Sequence, residues 1–211
     1  MPPSPNDLRA AWLVSVLAVV WTLASGGAAV AIGVTSGSAV LVAFGAIGFV
    51  DALGSAALVY HFHHARRHDV LAEHLERAAH RVVTAGLVSV GLGAVAISVV
   101  RLVARDAGEA PAAGIVLAAV SLGVLVVLST WKLAVAARLP SAALRADGVL
   151  SRVGAALAAV TLAGTAAARW MGWTWVDAAA AIVVGAVAVV VGVLTAPGGA
   201  GVGPEGIEPS A

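Results

Sequence analysis

The chain contains no cysteine. That excludes a disulfide framework, thiolate metal ligands and cysteine nucleophiles. Charge is scarce as well: 11% of the 211 residues are charged, less than half of the roughly 25% usual in soluble domains. Neither sign dominates, with 12 Lys and Arg against 11 Asp and Glu, so nucleic acid is not an expected partner. The sequence also lacks Gly-x-Ser-x-Gly, His-Glu-x-x-His and a phosphate-cradling Gly-Lys-Ser/Thr motif, so no soluble-type enzyme site is expected. The period-two alternation of a membrane β-barrel is missing too.

Apolar residues make up 61% of the chain, and the mean hydropathy is +1.01. A soluble domain of this length would not stay dispersed with so few charges, whereas a lipid bilayer solvates such a surface. The composition therefore predicts an all-α membrane protein. About 20 mostly apolar residues are needed to cross a hydrocarbon core of ~30 Å. Six runs qualify, at 11–34, 39–62, 82–103, 112–135, 141–168 and 175–196. They define a six-transmembrane-helix bundle at 11–196, preceded by an N-terminal segment at 1–10 and followed by a Gly/Pro-rich tail at 197–211, expected to be disordered. The first apolar run outlasts a signal-peptide core of 7–15 residues, so it is expected to remain as a span.

Orientation follows from Lys and Arg in short loops. The side holding both termini would carry Arg9, Arg66, Arg67, Arg77, Arg81, Lys132, Arg138 and Arg145. The other side would carry Arg101, Arg105 and Arg169. Eight against three predicts both termini in the cytoplasm, in a multi-pass protein of the plasma (inner) membrane. Trp170, Trp173 and Trp175 fit an interfacial belt at the opposite end of spans five and six, with a ligand cage as the alternative. Trp131 and Lys132 mark the inner end of span four in the same reading.

Ionisable groups inside spans are costly and mark function by default. Asp51 lies mid-span in the second helix, with Ser55 four residues on and so on the same face. In the fifth helix Asp147, Leu150, Ser151 and Gly154 fall at i, i+3, i+4 and i+7, again one face. Should the two faces meet, Asp51, Ser55, Asp147 and Ser151 form an all-oxygen site suited to protons and hard cations. The structural alternative is packing: a hydrogen-bonded aspartate, or an Asp51–Arg152 pair between helices. Asp177, after Thr174 at a helix start, is expected to be an N-cap.

All six histidines lie between positions 61 and 80, within a predicted cytoplasmic loop at 61–81. His61, His64 and His68 fall at i, i+3 and i+7, so a continuing helix would put them on one face as a candidate loop metal site. The alternative is a solvated, partly cationic hairpin at the lipid headgroups, where four arginines repel a divalent ion.

Three stretches resemble the membrane domain of the cation diffusion facilitator (cation efflux) family. Thr35-Ser36-Gly37-Ser38 leading to Phe49-Val50-Asp51-Ala52-Leu53-Gly54-Ser55 is similar to that family's second helix. Ser141-Ala142-Ala143-Leu144-Arg145-Ala146-Asp147 is similar to the start of its fifth, and Gly172-Trp173-Thr174-Trp175-Val176-Asp177-Ala178 to the start of its sixth. The resemblance spans roughly 11–195 and implies exchange of a divalent cation, commonly zinc, for protons. It places the helix-two ligand pair on Asp51 and Ser55, and the helix-five pair on Leu150 and Gly154, so one of four positions holds a strong ligand. It also implies a cytoplasmic metal-binding domain after the sixth helix, for which this chain has only some fifteen residues.

The expected function is thus transport of a divalent cation in exchange for protons. No resident cofactor is expected, and the cation is the substrate. The expected partners are the lipid bilayer, the transported cation and protons, with a homodimer through the spans as a candidate assembly. Two alternatives stand beside it: a non-transporting scaffold or accessory protein that keeps the fold, and a membrane metal sensor using the histidine loop.

Overall fold

In a computed structural model, the described residues are 5–64, 69–104, 111–139, 141–173 and 175–194, with backbone alone at 5–6, 61–64, 69–83 and 142–143. These residues form six helices and no strands: α1 Pro5–Ser36, α2 Ala39–His64, α3 Asp69–Ala104, α4 Ala112–Arg138, α5 Ala142–Met171 and α6 Trp175–Leu194. All six are long and apolar enough to cross a bilayer, as expected for a multi-pass integral membrane protein. Helices are the natural outcome here, because lipid offers no partner for backbone N–H and C=O groups.

The boundaries differ from the hydropathy reading where helices outrun their apolar cores. α1 begins at Pro5, inside the segment expected to precede the first span. α2 continues to His64 and α3 starts at Asp69, so much of the expected loop is helical. At 36 residues, α3 is about 54 Å long, well beyond a ~30 Å core. The tail at 197–211 lies outside the described residues.

Three of the connections have local causes. Gly37 takes a left-handed conformation between α1 and α2 (φ 69°), and Gly172 does so at the end of α5 (φ 68°), a geometry glycine adopts without a Cβ penalty. Ser141 caps α5, its hydroxyl accepting from Leu144 N at 3.3 Å.

The helices pack as intimate pairs, α1 with α2, α4 with α5 and α3 with α6, around a shared core; α2 also touches α3, α5 and α6. Small residues bring backbones together. A Cβ on Gly45 would lie 2.6 Å from the Gly26 carbonyl oxygen, so α1 and α2 cross there. Gly91 and Gly185 do the same for α3 and α6, at 2.6 and 2.7 Å from each other's carbonyl oxygens. Gly86, Gly91 and Gly93, the small residues noted for a dimer contact, divide accordingly. Gly86 packs on Val50, Gly91 on Gly185, and Gly93 faces open space. Large apolar side chains such as Leu17, Val20, Val100, Val103, Val127 and Leu194 point outward, a surface that lipid covers.

The end of the bundle where α1 turns into α2 is held by charged groups. Ser38 caps α2, accepting from Leu41 N at 3.4 Å. Asp177 of α6 accepts from Ser38 Oγ at 2.6 Å, from Ala39 N at 2.7 Å and from Val40 N at 3.4 Å. The expected capping role of Asp177 is therefore corrected in its target: it caps α2, not its own helix. A carboxylate at a helix N-terminus also complements the helix dipole. Arg101, in the last turn of α3, donates to the Gly37 carbonyl.

Two outcomes check this packing. Gly185→Val should lower thermal stability by about 1–3 kcal/mol, since the clash is with backbone. Asp177→Ala should cost about 1–2 kcal/mol through the lost cap. Thermal melts in detergent read both.

Candidate functional site

The polar residues of α2 and α5 do face each other. Ser55 Oγ donates to Asp147 Oδ1 at 2.9 Å, and Ser151 lies one turn beyond Asp147 on the same face of α5. Between them stands a cation of the protein itself. Lys132 of α4 is wholly buried, 0% exposed, with its Nζ 2.6 Å from Asp147 Oδ2. The ammonium also donates to Ser151 Oγ at 2.9 Å and to Ser55 Oγ at 3.2 Å. Its contact with Asp147 is a close ion pair without the alignment of a hydrogen bond, because that Oδ2 counts no directed donor. Two hydroxyls thus take hydrogen bonds from the ammonium, and its charge is matched by a carboxylate.

α4 delivers the lysine on its buried face, inside the expected span. Its buried stripe is Gly114, Ala118, Ser121, Leu125, Leu128, Ser129, Lys132, Val135 and Ala136, spaced three or four apart as one helix face requires. Gly148, next to Asp147, lets the stem pass: a Cβ there would lie 2.9 Å from Leu133 Cγ and 3.3 Å from Lys132 Cβ. The reading of Lys132 as an interfacial marker is corrected. Trp131 beside it is exposed, whereas Lys132 turns into the core.

Asp51 lies four residues along α2 from Ser55, about 6 Å along the helix axis. It is 9% exposed, and its Oδ1 has no hydrogen-bond partner among the described residues. It lines a cavity of about 30 Å³ together with Thr22, Ser25, Leu125 and Gly154, a volume that holds one or two water molecules. Leu125 is seven residues from Lys132 and Gly154 three from Ser151, so the cavity forms the next layer of the same polar column. The charges of Asp147 and Lys132 both act on Asp51. Arg152 is exposed, so the considered Asp51–Arg152 pair is not the one formed. The buried pair is Lys132 with Asp147.

Of the two positions that the family resemblance places on α5, Gly154 lines the cavity and Leu150 packs against the apolar core. Among the described residues no group of three or more His, Asp or Glu could hold a metal ion. His61 and His64 belong to α2 by backbone alone, and His68 lies outside the described residues. Trp170, Trp173 and Trp175 are exposed, with the rings of Trp173 and Trp175 stacked at 6.4 Å.

Two signals in the sequence point to Lys132. It is the only lysine, beside eleven arginines, and it continues the small-residue stripe of α4. A lysine suits this position because its compact ammonium offers three donors, whereas a guanidinium would bring five in a fixed plane.

Losing one member of a buried ion pair leaves the other uncompensated. Lys132→Met and Asp147→Leu should each destabilise the fold by about 3–5 kcal/mol, while the double variant should recover most of that loss. Thermal melts of the three variants decide this.

No protein-family model matches the sequence, and no curated protein matches it either.

Proposed function

We propose that the chain is a cation transporter that exchanges its ion for protons across the plasma (inner) membrane, with both termini in the cytoplasm. The observation that carries this reading is the polar column in the bundle interior. A buried Asp147–Lys132 pair is bridged by Ser55 and Ser151, and an unpartnered Asp51 adjoins it in a water-sized cavity. Packing alone needs neither the free carboxylate nor the cavity, and ionisable groups within membrane helices typically mark ion pathways.

The chemistry follows from competition. Asp51 takes either a proton or a cation, and the hydroxyls of the column are neutral oxygen donors for whichever is bound. Lys132 sits among oxygens that a cation would otherwise use, so the incoming ion meets a site partly neutralised from within. The resemblance to cation efflux proteins supports the transport class. The oxygen-only donor set with a resident ammonium does not favour zinc, which generally takes some nitrogen or sulfur. The orientation rests on the positive-inside excess. Without the buried Lys132 it is seven against three, still in the same sense.

A second reading has one observation in its favour: Lys132 is charge-matched by Asp147 and hydrogen-bonded to Ser55 and Ser151, a cluster that serves as a joint between three helices. In that case the chain is a non-transporting scaffold. Purified protein in liposomes with an internal pH dye separates the two. Transport predicts that an imposed cation gradient moves protons and that Asp51→Asn abolishes the signal. A scaffold predicts no proton movement with any monovalent or divalent cation.

A further inference from the structure

The buried column contains two carboxylates, Asp51 and Asp147, and one ammonium, Lys132. The other side chains that line Asp51's cavity, on α1, α2, α4 and α5, are uncharged: Thr22, Ser25, Phe44, Ile47, Leu125 and Leu157. With both carboxylates ionised the column therefore carries one net negative charge. An uncompensated charge in a low-dielectric interior is costly, and a single positive charge removes it. A divalent ion would overshoot by one charge while Lys132 stays in place.

We infer that the cavity at Asp51 is a binding site for one small monovalent cation, with Lys132 supplying internally the second positive charge that two carboxylates would otherwise draw from a divalent ion. The inference rests on the reading of this column as an ion site. The Asp51 carboxylate is the anionic ligand, and its Oδ1 has no hydrogen-bond partner among the described residues. The Thr22 hydroxyl donates to the Ala18 carbonyl, which leaves its oxygen lone pairs available as an acceptor. Ser25 adds a second hydroxyl to the lining. Oxygen donors of this kind suit hard cations. The volume, about 30 Å³, admits an ion of sodium or lithium size with at most one water. A proton on Asp51 neutralises the same charge, so proton and cation exclude each other.

Radiolabelled sodium binding to the purified full chain tests this, with lithium, potassium, manganese and zinc as competitors. The wild type should bind sodium saturably at one per chain, with lithium competing and manganese and zinc at least tenfold weaker. Sodium binding should fall as pH is lowered. Asp51→Asn, nearly isosteric, should weaken it at least tenfold with an unchanged melting profile. Lys132→Gln should reverse the preference, gaining manganese binding at the expense of sodium. Tighter manganese or zinc than sodium in the wild type overturns the inference. So does absent sodium and lithium binding, or sodium binding unaffected in Asp51→Asn. Should Lys132→Gln fail to fold, the wild type and Asp51→Asn decide alone. Sodium binding without proton movement in liposomes removes the transport reading and leaves the site. Proton movement driven only by divalent ions does the reverse.

Discussion

A lysine ammonium placed among helices that face lipid has to be answered by negative charge, and the Lys132–Asp147 contact supplies it. Much of the interior is arranged around that requirement. α4 carries the lysine on its buried face, α5 offers a glycine where the lysine stem passes, and α2 contributes a hydroxyl that accepts from the ammonium and donates to the carboxylate. Three helices are thus joined by one polar knot. Its strength comes from charge matching: the ammonium has a carboxylate at 2.6 Å and two hydroxyls that accept from it. A knot of this kind fixes helix rotation about the long axes, since a turn of any one helix would strand a charge in an apolar surrounding.

The rest of the bundle relies on shape. The crossings at Gly26–Gly45 and Gly91–Gly185 bring backbones so close that side chains are excluded, the usual means of association where lipid and protein interior are equally apolar. The two modes serve different sets of helices. Small-residue crossings hold α1 to α2 and α3 to α6, while the polar knot ties α2, α4 and α5. Asp51 sits beside the knot without entering it, and that position gives the carboxylate both its neighbours' electric field and its freedom from hydrogen-bonding protein donors.

The six spans were legible because bilayer thickness sets helix length and this composition leaves few other folds. Asp51, Ser55, Asp147 and Ser151 were legible as two helix faces from their spacing alone, and the structure turns those faces toward one another. Lys132 was not, because a cation next to a tryptophan near a hydropathic boundary has the pattern of an interfacial anchor. Periodicity along α4 carries the contrary signal, since Lys132 continues the row of Ser121, Leu125 and Leu128. Asp177 was legible as a capping residue but not as a cap for a helix 137 to 139 residues earlier in the chain. Local sequence names a donor's needs, and only the fold says who meets them.

That long-range cap bears on how the protein is made. The N-terminal amides of α2 emerge early in synthesis, yet the carboxylate that serves them belongs to α6, at least 137 residues later. Until α6 inserts, water or lipid headgroups must stand in for Asp177, and the α1–α2 hairpin waits in a provisional state. A chain cut short before α6 lacks the carboxylate that fastens its first hairpin, so a lesion late in the sequence is felt at the opposite end of the order of synthesis.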